Sequence, residues 1–169
     1  EAAGLEPTDL DLIIVGTISG DMPMPSCASF VQAKLGATCA AFDVSAACAG
    51  SVYGLAIADK FIRAEAANNV LVIGVELLSR ILDWEDRNTC VLFGDGAGAA
   101  VIVPSTNGGG RVLSSQLGTD GAQTELLNIP AGGSACPITK DNACETLATL
   151  AMQGREVFKH AVNAMKTAS

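Results

Sequence analysis

Apolar residues along this chain come in short unbroken runs, divided by glycine, proline and polar punctuation. Residues 11–17 (DLIIVGT) are rich in β-branched side chains, and residues 68–76 (NNVLVIGVE) echo them. Both runs predict strands buried on two faces, as in parallel sheets. A third strand ends at Phe42-Asp43-Val44, where small residues 45–50 follow. From Val52 to Phe61 apolar positions recur at helical spacing, predicting a helix that runs to about Arg63. Between the first and third strands, residues 19–26 hold Gly20, Pro23 and Pro25 and predict a loop. Residues 30–35 predict a short helix closed by Gly36. Strand, helix, strand, helix, strand in this order predicts a parallel sheet joined by right-handed crossovers.

Patterning is less regular afterwards. Residues 77–82 read as helical or irregular. Residues 90–93 and 97–103 predict two strands around a tight Gly94-Asp95-Gly96 turn. Residues 104–111 (PSTNGGGR) read as a linker between a first half, 1–103, and a second, 112–169. Residues 112–118 and 126–129 read as further strands, and residues 130–143 as a polar, glycine-rich excursion. Residues 145–166 predict an amphipathic helix, with Leu147, Leu150, Ala151, Gly154, Phe158, Ala161, Val162 and Met165 on one face.

Composition narrows the function classes. The 169 residues are 49% hydrophobic, enough for one sizeable core, but only 4% aromatic, so aliphatic side chains must pack it. A net charge of −8 without basic clusters argues against a nucleic-acid partner. No apolar run is long enough to cross a bilayer and no signal peptide is visible, which with reduced thiols predicts a cytoplasmic protein. The first residue is Glu1, so a cut or processed N-terminus is expected. Six cysteines without a Cys-x-x-Cys pair predict free thiols and no metal site, with Cys136 and Cys144 the one pair in a loop able to cross-link.

The candidate chemistry centres on Cys48, which falls between the predicted strand and helix in AFDVSAACAGSVYG. Helix N-termini carry unpaired N–H groups and partial positive charge, which favour a thiolate and can cradle an oxyanion. Small neighbours Ala47, Ala49 and Gly50 leave room for a substrate to approach the sulfur, the logic of a nucleophile elbow. Without that placement a cysteine among alanines is a buried small hydrophobe, the reading given to the other five. GDGAGA at residues 94–99 lacks G-x-G-x-x-G spacing and precedes a strand-like run, so it is no phosphate cradle. Its glycines read instead as places where backbones pass closely beneath the nucleophile. His160 is the only histidine and points away from the apolar face of its predicted helix, toward pairing with Glu156 rather than a role as base.

AAFDVSAACAGSVYGLAIAD and LVIGVELLSRILDWEDRNTCVLFGDGAGAAVIV closely resemble β-ketoacyl-acyl-carrier-protein synthase III, a condensing-enzyme family of the thiolase superfamily, from about Leu5 to Val162. The resemblance implies an α/β, thiolase-like layered αβαβα fold, here incomplete. It implies that Cys48 is the acyl-accepting nucleophile of an initiating condensation in fatty acid synthesis. Acyl-coenzyme A would be a substrate rather than a bound cofactor, malonyl-acyl carrier protein the second substrate, and the intact enzyme a homodimer. Arg87 matches the position contacting the adenine end of coenzyme A. Phe93, Met152, Gly154 and Phe158 match the pantetheine tunnel, although Phe93 and Phe158 read equally well as core. Met24 matches a cap on the partner's acyl pocket, and Leu78 and Leu150 match its walls. Lys159 and Arg155 match positions toward the carrier protein and pantetheine, though relatives often carry Asn where Arg155 stands. The acidic chain would slow encounter with an acidic carrier. The family's His and Asn, and its first strand, lie outside the matched stretch, so this chain is expected to be an internal fragment inactive in condensation.

Other readings keep a place. A polyketide-type or quinolone-type synthase would share Cys48 with a different acyl donor. A non-catalytic dimerisation or carrier-binding piece would need no chemistry at Cys48. A cysteine hydrolase would require His160 to face the sulfur.

Overall fold

Leu12–Gly16 forms strand β1, and all five of its residues are buried. They are buried because both faces and both edges of β1 are covered. The computed structural model describes residues 2–105, 110–143 and 148–168, and within them β1 pairs in parallel with Ala40–Val44 (β2) and with Val70–Leu77 (β3). Asp95–Ile102 (β4) adds antiparallel to β3, giving the order β2-β1-β3-β4. Helices Cys27–Leu35 (α1) and Gly50–Arg63 (α2) make the crossovers.

Alternation along β1 divides the core in two. Leu12 and Ile14 pack with Ala58, Ala67, Val70 and Val72 on the side of α2, whereas Ile13 and Val15 pack with Ala28 and Ala37 on the side of α1. Burying each valine, leucine or isoleucine among them contributes about 1.5–3 kcal/mol. Helix α1 starts three residues earlier than its apolar pattern predicts. Ser26 accepts the Ser29 N–H, and the Asp43 carboxylate accepts those of Cys27 and Ala28. Gly36, at φ 75°, closes it as expected. At the far end of α2, the buried Asp59 holds Lys60 and Arg63, and Arg63 reaches the Val112 carbonyl at 2.8 Å.

These elements make up one compact unit, Glu1–Leu77 with Asp95–Ser115; the other is Leu78–Gly94 with Gln116–Ser169. The second unit contains a 3-10 turn at Leu78–Arg80, a 3-10 segment at Gly121–Leu126, and the short pair Leu127–Asn128 (β5) and Ala151–Met152 (β6). Its helix α3 spans Gly154–Ala168. Leu82, Thr89, Ala131 and Leu150 are its buried residues among those described.

Four expectations are corrected. Residues 90–93 are turn rather than strand, and Asp95 and Gly96 open β4 instead of forming a hairpin turn. Residues 112–118 form no strand, and of 126–129 only Leu127–Asn128 pairs. The last helix begins at Gly154, not near residue 145: β5–β6 pairing holds Ala151 and Met152 extended, and the Gln153 N–H bonds the Leu126 carbonyl at 2.8 Å. Leu150 and Ala151 therefore precede the helix; residues 106–109 of the 104–111 segment, and 144–147 with Cys144 and Leu147, lie outside the described residues. Finally, Glu156 pairs with Lys159 at 2.7 Å, not with His160, which is exposed on α3.

Candidate active site

The chain leaves β2 at Val44 and enters α2 at Gly50 through five residues. Such a short path between a strand and a helix needs a sharp reversal, and Ala47 supplies it at φ 44°, the left-handed region that alanine rarely enters. Backbone bonds hold the corner. Val44 O accepts the N–H groups of Ala46 and Thr17, and Ala46 O accepts that of Ala49 at 3.0 Å. Ala47–Ala49 form a 3-10 turn that runs directly into α2, and Cys48, in its middle, is exposed. No side chain caps the start of α2. An exposed cysteine thus stands two residues before the first turn of a helix whose start no side chain caps.

The corner is seated on glycine. Gly16 and Gly74 are register partners on β1 and β3, with Val44 and Gly98 continuing the same rung on either side. A β-carbon on Gly16 would lie 2.5 Å from the carbonyl carbon of Gly50, and one on Gly74 would lie 2.9 Å from the Ser51 β-carbon. The start of α2 is therefore pressed onto the sheet at the two glycines. The expectation that Gly94 and Gly96 serve a close approach is corrected here: among the described residues nothing lies within 4 Å of a β-carbon at either.

Of the other predicted site residues, Met24 lies exposed in the loop before α1. The rest belong to the second unit. The Ile81 N–H donates to the Leu78 carbonyl and the Ile81 carbonyl accepts the Leu150 N–H at 2.7 Å, so these two predicted pocket residues are both tied to the backbone of Ile81. Met152 and Gly154 also adjoin, a β-carbon on Gly154 lying 3.3 Å from the Met152 Cε. Arg87 is exposed on a turn organised by Asp86, whose carboxylate accepts from Asn88 and Thr89 rather than pairing with Arg87. Phe93 is half-buried just beyond that turn, and Arg155, Phe158 and Lys159 are exposed on α3.

The cysteines separate by surroundings. Burial pushes the Cys27 and Cys39 thiols up from the ordinary value, with Asp43 adding to the effect at Cys27. All five described cysteines are free. Among the described residues no cluster of His, Cys, Asp or Glu is placed to hold a metal ion, and no helix is long and apolar enough to cross a membrane.

The sequence placed Cys48 at a strand-to-helix corner, as the structure has it, but did not point to the left-handed Ala47 or the Gly16–Gly74 rung. Two strand runs, LIIVG and VLVIG, each end on glycine, but only the β1–β3 register places those glycines on one rung.

Comparison with known proteins gives a consistent picture. The family model for 3-oxoacyl-[acyl-carrier-protein (ACP)] synthase III matches residues 42–121. A β-ketoacyl-[acyl-carrier-protein] synthase III from Caldanaerobacter subterraneus is 53% identical over 170 residues, covering 100% of this chain and 51% of the relative. The crystal structure of 3-oxoacyl-[acyl-carrier-protein] synthase III from Aquifex aeolicus superposes with a TM-score of 0.84 at 46% identity, over 98% of this chain and 49% of that one. A priming β-ketosynthase of the R1128 polyketide pathway superposes with a TM-score of 0.77 at 32% identity, over 95% of this chain and 47% of that one. The chain spans about half the length of the curated relatives it matches. Its α/β architecture is that of the thiolase-like synthase structures, of which it covers about half.

Proposed function

Because the chain belongs to the 3-oxoacyl-[acyl-carrier-protein] synthase III family, we propose that Cys48 is the nucleophile that accepts the acyl group in an initiating condensation of fatty acid synthesis. The observation that carries this reading is an exposed sulfur on the 3-10 turn at the uncapped start of α2. In the proposed first half-reaction the Cys48 thiolate attacks the carbonyl carbon of a short acyl-coenzyme A. The new carbon–sulfur bond converts the carbonyl oxygen to an oxyanion, which backbone N–H groups at the helix start stabilise. Collapse restores the carbonyl and breaks the bond to coenzyme A, which leaves as its thiolate and takes a proton from solvent. Malonyl-acyl carrier protein then loses carbon dioxide, and the resulting carbanion attacks the acyl carbon and releases Cys48.

The remaining roles are proposals of the same kind. Arg87 meets the adenine end of coenzyme A; Phe93, Met152, Gly154 and Phe158 line the pantetheine path; Leu78 and Leu150 wall the acyl pocket, and Met24 caps that of the partner subunit. Lys159 and Arg155, exposed on α3, face the acidic carrier. The active species is proposed to be a cytoplasmic homodimer. A second reading, a polyketide-type priming synthase, draws support from the R1128 superposition and differs in its acyl donor.

Labelled acetyl-coenzyme A tests the reading. Label retained as a thioester on wild type and absent from Cys48→Ser is expected. Rapid release as free acid would favour a hydrolase instead, and retention of a longer or branched starter alone would favour the polyketide type.

A further inference from the structure

We propose that Gly16 and Gly74 are positioning residues for acyl transfer at Cys48, acting as a two-glycine notch that sets where the sulfur stands relative to the first N–H groups of α2. The proposal deepens the reading of Cys48 as nucleophile and rests on it. Three observations support it. The two glycines share one rung of adjacent parallel strands, so their missing side chains open one depression on the α2 face of the sheet. The backbone of Gly50 and the β-carbon of Ser51 fill that depression, at 2.5 Å and 2.9 Å from the positions where β-carbons would stand. The contact is reciprocal, because a β-carbon on Gly50 would lie 2.9 Å from the Gly16 Cα.

Position matters because of what joins there. Cys48 lies two residues before Gly50, within a 3-10 turn whose following N–H bonds back across it: the Gly50 N–H donates to the Ala47 carbonyl. Lifting Gly50 off the sheet must therefore move the turn that holds the sulfur. At Gly16 the obstructing atoms are backbone, which cannot rotate aside, so the helix start itself has to rise. Gly54, one turn further along α2, provides the contrast: a β-carbon there would meet the Val72 Cγ1 at 2.9 Å, a side-chain methyl rather than backbone.

Two reactions of one sulfur separate positioning from stability. Alkylation by iodoacetamide needs an accessible thiolate but no oxyanion donors. Acylation by acetyl-coenzyme A needs the thiol and the oxyanion donors in register, and an error of about 1 Å in such geometry costs about a hundredfold. Gly16→Ala and Gly74→Ala are expected to lower the ratio of acylation to alkylation at Cys48 by about tenfold to a hundredfold. Gly54→Ala should lower the melting temperature and leave the ratio within about threefold of wild type, since it overpacks the α2–β3 contact a full turn beyond the corner. Should Gly16→Ala not fold, Gly74→Ala carries the test, because its conflict is with the Ser51 β-carbon and Gly74→Ala/Ser51→Gly is expected to recover the ratio. A folded Gly74→Ala with a wild-type ratio, or a loss that Ser51→Gly does not recover, overturns the proposal. Absence of any acyl adduct on wild type, with alkylation intact, overturns the nucleophile reading and this proposal with it.

Discussion

The carboxylate of Asp43 accepts the backbone N–H of Cys27 at 2.7 Å and that of Ala28 at 2.8 Å, tying the end of β2 to the start of α1. Asp43 stands five residues before Cys48, so this link also fixes the strand from which the reactive corner departs. Charge-assisted bonds to two otherwise unpartnered helix donors are worth more than a neutral cap. Asp43→Ala is expected to lower the unfolding free energy by about 2 kcal/mol, and Asp43→Asn by about half as much. Urea titration measures both. An Asp43→Ala curve superposing on wild type would show that the α1 start is held by Ser26 alone.

Ala47 carries the left-handed conformation that turns the chain into Cys48. A β-branched side chain is poorly tolerated at positive φ, so Ala47→Val should destabilise by about 2 kcal/mol. Ala47→Gly relieves the conformation but loosens the unfolded chain, and the two effects offset to within about 1 kcal/mol. Equal stability of the valine and glycine variants would contradict this account of the corner.

How far the sequence carries depends on whether a residue's role is local. Residues 12–16 and 70–74 are strands because unbroken β-branched runs suit burial on two faces, and that is a local property. The corner that carries Cys48 was likewise legible, since a small-residue break between a strand and an amphipathic run implies a corner wherever the two pack. The notch was not, because Gly16 and Gly74 share a rung only through the β1–β3 register, which no local pattern states. Residues 95 and 96 misled for a related reason. Gly94, Asp95 and Gly96 read as a turn, yet Asp95 and Gly96 open an eight-residue strand that pairs in register with β3, whose ladder supplies what their own propensity lacks. The start of α3 was similarly set by distant pairing, that of Ala151 and Met152 with Leu127 and Asn128.

Acid should unfold the chain through a small set of aspartates. Asp11 is held below the ordinary value of 3.8 by the N–H groups of Asn68 and Asn69, Asp59 by Lys60 and Arg63, and Asp86 by Asn88 and Thr89. A folded pKa below the unfolded one means that the unfolded chain binds protons first as the pH drops. The stabilisation is therefore present above about pH 4 and lost as the pH falls through the folded values. The melting temperature should hold steady down to about pH 5 and decline below about pH 4, with a shallower decline in Asp11→Asn. A decline as steep in Asp11→Asn as in wild type would remove Asp11 from the set.

Thiol labelling should rank the cysteines by exposure and environment. Brief treatment with iodoacetamide at neutral pH, read by peptide mapping, is expected to modify exposed Cys48 before Cys27 and Cys39, whose thiols burial pushes up. Cys27 or Cys39 labelling first would place the accessible sulfur elsewhere.

The most direct measurement is the intact mass of the protein after brief exposure to acetyl-coenzyme A. One added acetyl unit, mapping to the peptide that contains Cys48 and missing from Cys48→Ser, is the predicted result. A wild-type mass that stays unchanged, or an adduct that survives in Cys48→Ser, would contradict the assignment of this sulfur as the acyl acceptor.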